Sequence, residues 1–265
     1  MTGAAPASAR RILGLGVALG VLLGSAGLAQ AQSLTARTVR FDSQVLGGQA
    51  TFAILLPADY DATTKRYPVV YLLHGGTHNH TAYPARSWFA KDVTRRGVIA
   101  VTPHVPQAVY NMRGASGSSA VAEFIVRELV AYVDAHYRTI DARNARAIGG
   151  LSMGGFGAVV TGLTHPELFG TVGAFSGAFS GTREAMLKAA VAALPSETAP
   201  YFYLACGVGD SVLPASRMLA AALDEHHIAH EYREVPGGHT WDVWDPQTLA
   251  FLNVLAGRPG FKAAP

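Results

Sequence analysis

Short unbroken apolar runs alternate along this chain with longer stretches in which apolar residues recur at helical spacing. Residues 68–73 (Pro-Val-Val-Tyr-Leu-Leu) are apolar throughout and rich in β-branched side chains, the pattern of a central strand buried on both faces. Residues 98–102 and 145–148 read the same way, and 171–175, 201–205 and 231–235 supply three later strands. Between them, Val121, Ile125, Leu129, Val133 and Tyr137 recur every four residues with Phe124 and Tyr132 beside them, the stripe of an amphipathic helix. Further helices are predicted over 86–96, 155–163 (stopped by His165-Pro166), 183–193, 214–226 and 246–255. Near the start, 38–41 and 50–56 predict a hairpin turned through Gly47-Gly48, and 58–66 and 103–119 are polar loops. Strands that alternate with helices predict an α/β fold, a mostly parallel central sheet with helices on both faces. No internal repeat or linker divides it, so a single domain is expected.

Residues 1–31 fall outside that pattern. Arg10-Arg11, an apolar glycine-rich run from Ile12 to Leu28 and then Ala29-Gln30-Ala31 have the three parts of an export signal. Cleavage after Ala31 is expected, leaving 32–265 as the working domain in a secreted or periplasmic protein. The run is nearly long enough to anchor in a membrane. Its five glycines and the small-residue site behind it favour cleavage. The arginine pair suits either general or twin-arginine export. The whole chain carries 21 basic and 18 acidic side chains. Removing the leader takes two arginines, so an excess of only one remains and no basic stripe is left for nucleic acid. With 49% hydrophobic and 15% charged residues, the rest has the makings of a well-filled core rather than of disorder. The lone Cys206 allows neither an internal disulfide nor a lipoprotein anchor; it ends an apolar run and is expected to be buried and inert.

The densest chemical signal is Gly150-Leu151-Ser152-Met153-Gly154, a Gly-x-Ser-x-Gly set between a predicted strand and a predicted helix. Such a turn strains the serine backbone, lifts its hydroxyl above the sheet edge and aims the first helix amides at a nearby oxyanion. A serine is a weak nucleophile without a base, and Pro236-Gly237-Gly238-His239 offers one in a loop after the last strand. The acid expected between them in chain order is Asp210, which follows the 201–205 strand through Cys206-Gly207-Val208-Gly209. Asp224 and Glu225 sit within a helix, and Asp242 and Asp245 lie too near His239 along the chain. Two amides must face the developing oxyanion: that of Met153, and one from His74-Gly75-Gly76 after the 68–73 strand. His74, His78 and His80 would suit zinc, but they share one loop with no acidic partner between them. No metal or cofactor is therefore expected.

These motifs, together with 165–169 (His-Pro-Glu-Leu-Phe), 175–178 (Phe-Ser-Gly-Ala) and 237–244 (Gly-Gly-His-Thr-Trp-Asp-Val-Trp), resemble the esterase D-type α/β-hydrolases. That group includes feruloyl and acetylxylan esterases, tributyrin esterases, S-formylglutathione hydrolases and mycolyltransferases. The resemblance runs from about Thr38 to Trp244. It implies the α/β-hydrolase fold, Ser152 as nucleophile, Asp210 as acid, His239 as base, and oxyanion donors at Met153 and Gly76. The expected activity is ester hydrolysis on a small or carbohydrate-linked substrate, with acyl transfer to an alcohol as the alternative on the same residues. A silent binding relative would be expected to lack a member of the trio. Glycine at position 76, where many relatives carry a larger residue, leaves open which amide of its loop donates. The 77–84 and 103–119 loops match no particular subgroup. Tyr83, Trp88, Tyr110, Phe179 and Trp241 are candidate pocket residues, with ordinary packing the alternative for each.

Overall fold

The computed structural model describes residues 1–3, 36–111, 113 and 119–264. The chain divides into two units, 1–32 and 33–265. The predicted export signal and its cleavage site lie outside the described residues.

The second unit is built on one eight-stranded sheet in the order β1-β2-β4-β3-β5-β6-β7-β8. The hairpin of β1 (Arg37–Ser43) and β2 (Gly48–Leu55) pairs antiparallel, with Phe41 opposite Ala50 and Gly47 at φ 65° in the turn. β2 runs antiparallel to β4 (Ile99–Pro103). From there β3 (Val69–Leu73), β5 (Arg146–Leu151), β6 (Thr171–Phe175), β7 (Tyr201–Gly207) and β8 (His230–Val235) continue the sheet in parallel. Parallel neighbours need crossovers, and helices make them.

Each central strand feeds two cores because successive side chains face opposite sides. Val69, Tyr71 and Leu73 pack with the 120–136 helix, α4 (Met153–Thr164), α5 (Thr182–Ala193) and α6 (Leu213–Glu225). Val70 and Leu72 pack with α1 (Phe89–Arg95) and α7 (Trp241–Gly257). Burial of each such side chain is worth about 1.5–3 kcal/mol against leaving it in water. The double coverage explains why these strands read as unbroken apolar runs. Among the described residues, no helix is long and apolar enough to cross a membrane.

Three elements differ from the sequence pattern for identifiable reasons. β5 continues through Gly149 and Gly150 to Leu151 instead of ending at Ile148. A Cβ at Gly149 would meet Phe251 of α7 at 3.0 Å, and one at Gly150 would lie 2.5 Å from the Gly154 carbonyl carbon. These glycines therefore admit neighbouring elements and do not end the strand. The 120–136 helix is α2 (Ala120–Glu123), a π-helical stretch (Phe124–Val130) and α3 (Ala131–His136) in succession. Bonding i→i+5 widens the turn, which keeps a strict four-residue stripe on one face where an ordinary helix would let it drift. α7 begins at Trp241, five residues before Pro246, because Thr240 in extended backbone (φ −141°, ψ 164°) starts the helix and Pro246 lies inside it.

Candidate active site

Ser152 joins β5 to α4 at φ 53°, ψ −118°, a region a non-glycine residue rarely enters. The surroundings hold it there: its N–H donates to the Phe175 carbonyl at 2.9 Å, and its own carbonyl accepts from Ala178 N–H at 2.9 Å. The turn fits only because Gly154 has no side chain, since a Cβ there would lie 2.1 Å from the Leu73 carbonyl oxygen. The end of β3 thus rests directly on the start of α4. Met153 is the first residue of that helix, and its N–H is among the amides a helix leaves unpaired.

The candidate acid and base, Asp210 and His239, come from neighbouring strand ends. Asp210 follows β7, and its side chain is fully shielded from solvent. One carboxylate oxygen, Oδ1, accepts from Val212 N–H at 3.0 Å; the other, Oδ2, lies 2.8 Å from His239 Nδ1. His239 follows β8 through Gly237 at φ 120°, and Gly209 N–H donates to the Gly237 carbonyl at 2.8 Å, clipping the two loops together. Gly207 allows that approach, because a Cβ there would sit 2.4 Å from the same oxygen. His239 Nε2 is 2.8 Å from Ser152 Oγ. Since a carboxylate only accepts, the imidazole proton sits on Nδ1 and Nε2 faces the serine hydroxyl as an acceptor. Trp244, buried on α7, stands edge-on to the His239 ring at 5.0 Å between centroids.

Gly75 lies close to Ser152 and Gly76 close to Met153. A Cβ on Gly75 would be 3.5 Å from Ser152 Cβ, and one on Gly76 would be 3.3 Å from Met153 Cγ and 3.4 Å from Gln107 Cδ. Of the two glycines, Gly76 is thus the one that lies beside Met153. His74 is buried. Its Nδ1 lies 2.7 Å from the Gly75 carbonyl oxygen and its Nε2 accepts from Val105 N–H at 3.0 Å. With both nitrogens engaged, it has none for zinc. Among the described residues, no group of three or more His, Cys, Asp or Glu side chains is arranged to hold a metal ion.

The five aromatic candidates separate. Tyr83, Tyr110 and Phe179 are closed off from solvent and packed in the core, where burial raises the pKa of both phenols. Tyr110 lies against Gly157 of α4 and Phe179 against Gly177, so all three rings are packing elements. Trp88 and Trp241 are partly exposed, and Trp241 stacks edge-on to both His78 and Trp244. Arg86 lies over the Trp241 ring at 4.8 Å and is held by Asp245 at 2.8 Å. Cys206 is buried, and burial pushes its thiol pKa up, away from nucleophilic use. Two neighbours of the site are not among the candidate site residues of the sequence. Trp244 was signalled by its three-residue spacing from Trp241 on one helix. Gln107, which opens a short 3-10 helix (Gln107–Asn111) within the predicted 103–119 loop, carried no signal.

A mostly parallel sheet with a serine on the turn after β5, an acid after β7 and a histidine after β8 has the α/β-hydrolase fold. The family model named Esterase, described as "Putative esterase", matches residues 43–253, and the chain belongs to that family. It is 28% identical over 250 residues to an esterase of Mycobacterium tuberculosis, covering 76% of this chain and 55% of that one. The chain thus spans about half the length of that relative. An acetyl esterase of Caldicellulosiruptor saccharolyticus is 25% identical over 247 residues, covering 78% of this chain and 92% of that one. Among solved structures, a ferulic acid esterase superposes with a TM-score of 0.73 at 24% identity, over 84% of this chain and 99% of that one. An S-formylglutathione hydrolase of Agrobacterium tumefaciens gives 0.71 at 20%, over 88% and 99%.

Proposed function

We infer that this chain is an exported serine carboxylester hydrolase that works through an acyl-enzyme. The observation carrying the reading is the unbroken relay from Asp210 Oδ2 through His239 to Ser152 Oγ, each contact 2.8 Å. Ser152 Oγ attacks the ester carbonyl as His239 Nε2 takes its proton, and the carbonyl pair moves onto oxygen. The Met153 and Gly76 N–H groups face that oxyanion. As the tetrahedral adduct collapses, His239 returns the proton to the departing alcohol, leaving the acyl group on Ser152. Water, deprotonated by His239, then attacks the acyl carbon, and as this second adduct collapses the bond to Ser152 Oγ breaks, His239 returns the proton to that oxygen and the carboxylic acid leaves. Asp210 keeps the proton on Nδ1 throughout and stabilises the imidazolium. No step calls for a metal or cofactor. Relatives named acetyl esterase and ferulic acid esterase support a small acyl or aryl ester, free or carried on carbohydrate, as substrate.

The test is hydrolysis of p-nitrophenyl acetate and methyl ferulate beside labelling with a fluorophosphonate. Ester cleavage and labelling in the wild type, with both lost in Ser152→Ala, are expected. Equal labelling of the two proteins would refute Ser152 as nucleophile.

A further inference from the structure

We propose that His74 is a positioning residue for the oxyanion hole, its Nδ1–H held on the Gly75 carbonyl so that the Gly76 N–H is turned toward Ser152. The proposal rests on the acyl-enzyme reading above and names the device that aims one of its two oxyanion donors.

The hydrogen-bond partners settle the tautomer. Val105 N–H can only donate, so the Nε2 it meets at 3.0 Å must be the bare nitrogen. The ring proton then sits on Nδ1, 2.7 Å from a carbonyl oxygen that can only accept. His104 Nδ1, 3.2 Å from the same Nε2 and stacked on the His74 ring at 5.3 Å, is left as a second donor. His74 thus works as a neutral imidazole, and burial, with His104, His78 and His80 nearby, lowers its pKa to about 4.

The Gly75 carbonyl belongs to the same peptide plane as the Gly76 N–H. In a trans peptide the two point in opposite directions, and no described peptide bond is cis. Fixing the oxygen therefore fixes the amide. Gly75 O accepts from two sides, from His74 Nδ1 and from His78 N–H at 3.0 Å. The Gly76 N–H itself has no hydrogen-bond partner among the described residues. Two consecutive glycines would otherwise leave this plane free to rotate. Packing alone does not ask for an imidazole here, because a buried apolar side chain would fill the space without needing two partners.

Two substitutions separate the roles. In His74→Asn the amide nitrogen takes the place of Nδ1 and keeps the donor to Gly75, while the acceptor for Val105 is lost. In His74→Gln the amide reaches the place of Nε2 and keeps the acceptor for Val105, while the donor to Gly75 is lost. The readouts are kcat and KM on p-nitrophenyl acetate, inhibition by a trifluoromethyl ketone that forms a tetrahedral adduct on the serine, and melting temperature. His74→Gln is expected to lower kcat roughly 100-fold, the cost of losing one oxyanion donor, with KM nearly unchanged and inhibitor affinity falling by a similar factor. His74→Asn is expected to lose thermal stability yet stay within a few-fold of wild-type kcat and inhibitor affinity. Equal losses in the two variants, or a kcat loss in His74→Gln without loss of inhibitor affinity, would overturn the proposal. Should His74→Gln not fold, His74→Asn decides alone: retained inhibitor affinity supports the role and a roughly 100-fold loss refutes it. A wild-type protein that neither hydrolyses esters nor labels at Ser152 would instead refute the acyl-enzyme reading itself.

Discussion

Replacing Asp210 by asparagine isolates the part that one oxygen plays. The side chain keeps its shape, and the site dictates how the amide must sit. Val212 N–H donates to Oδ1 at 3.0 Å and requires an acceptor there, so the amide oxygen stays on Val212. The amide NH₂ then falls where Oδ2 was, 2.8 Å from His239 Nδ1. Two donors cannot share that contact, so the imidazole shifts its proton to Nε2 and presents an N–H to Ser152 Oγ. In that tautomer it cannot accept the serine proton. The equivalent change in serine proteases lowers kcat by about 10⁴-fold, some 5 kcal/mol in the barrier, and the same order is expected here. KM should change little, because Asp210 is shielded from solvent and does not reach the substrate. Stopped-flow hydrolysis of p-nitrophenyl acetate should show both the acylation burst and the steady state slowed, with the melting temperature nearly preserved. A loss in kcat of less than about tenfold in a folded protein would refute the tautomer argument.

Gly154→Ala places a Cβ 2.1 Å from the Leu73 carbonyl oxygen and 2.6 Å from that of His74, so it should cost about 3 kcal/mol or more, read by urea unfolding. Arg146 is almost fully buried and paired with Asp134 at 2.7 Å and Asp141 at 3.1 Å. Arg146→Ala leaves the largely buried Asp134 with only the Thr139 hydroxyl as donor and should cost about 3 kcal/mol by the same assay, while Arg217→Ala in the exposed pair with Glu234 should leave the urea midpoint nearly unchanged. Stability should also fall with acid. Burial lowers the His74 pKa from its ordinary 6.5 to about 4, so between those values the unfolded chain binds a proton that the folded one refuses. At about 1.4 kcal/mol per pH unit, His74 alone contributes about 3 kcal/mol that is present above pH 6.5 and lost as pH falls to about 4. Burial shifts His78, His80 and His104 in the same direction. Urea midpoints measured across that window would test it, and in His74→Asn the fall should be shallower than in the wild type.

The strands were readable because burial on both faces leaves little room for polar residues, as the 68–73 run shows. Glycine was harder to interpret, since the sequence does not say whether it turns the chain or admits a neighbour. Gly149 and Gly150 looked like the end of a strand, yet they lie within β5 because Phe251 and α4 occupy the space their side chains would need. Pro246 looked like a helix start because its missing N–H costs nothing in the first turn, and the capping geometry of Thr240 was invisible without coordinates. Ser152, Asp210 and His239 stood out because each follows small residues at a strand end, and the structure brings them within hydrogen-bonding distance. The aromatic candidates could not be sorted in advance, since burial depends on the partner a ring meets. Tyr110 and Phe179 close against glycines far off in sequence or across a turn, whereas Trp241 remains at the rim.

The central claim is that Ser152 carries the acyl group during turnover. Rapid acid quench of the protein with p-nitrophenyl acetate, followed by peptide mapping by mass spectrometry, tests it most directly. One acetyl group on the Ser152 hydroxyl, accumulating during the burst and absent from Ser152→Ala, is the predicted result. An acetyl group on another residue, or an unchanged burst in Ser152→Ala, would contradict the account.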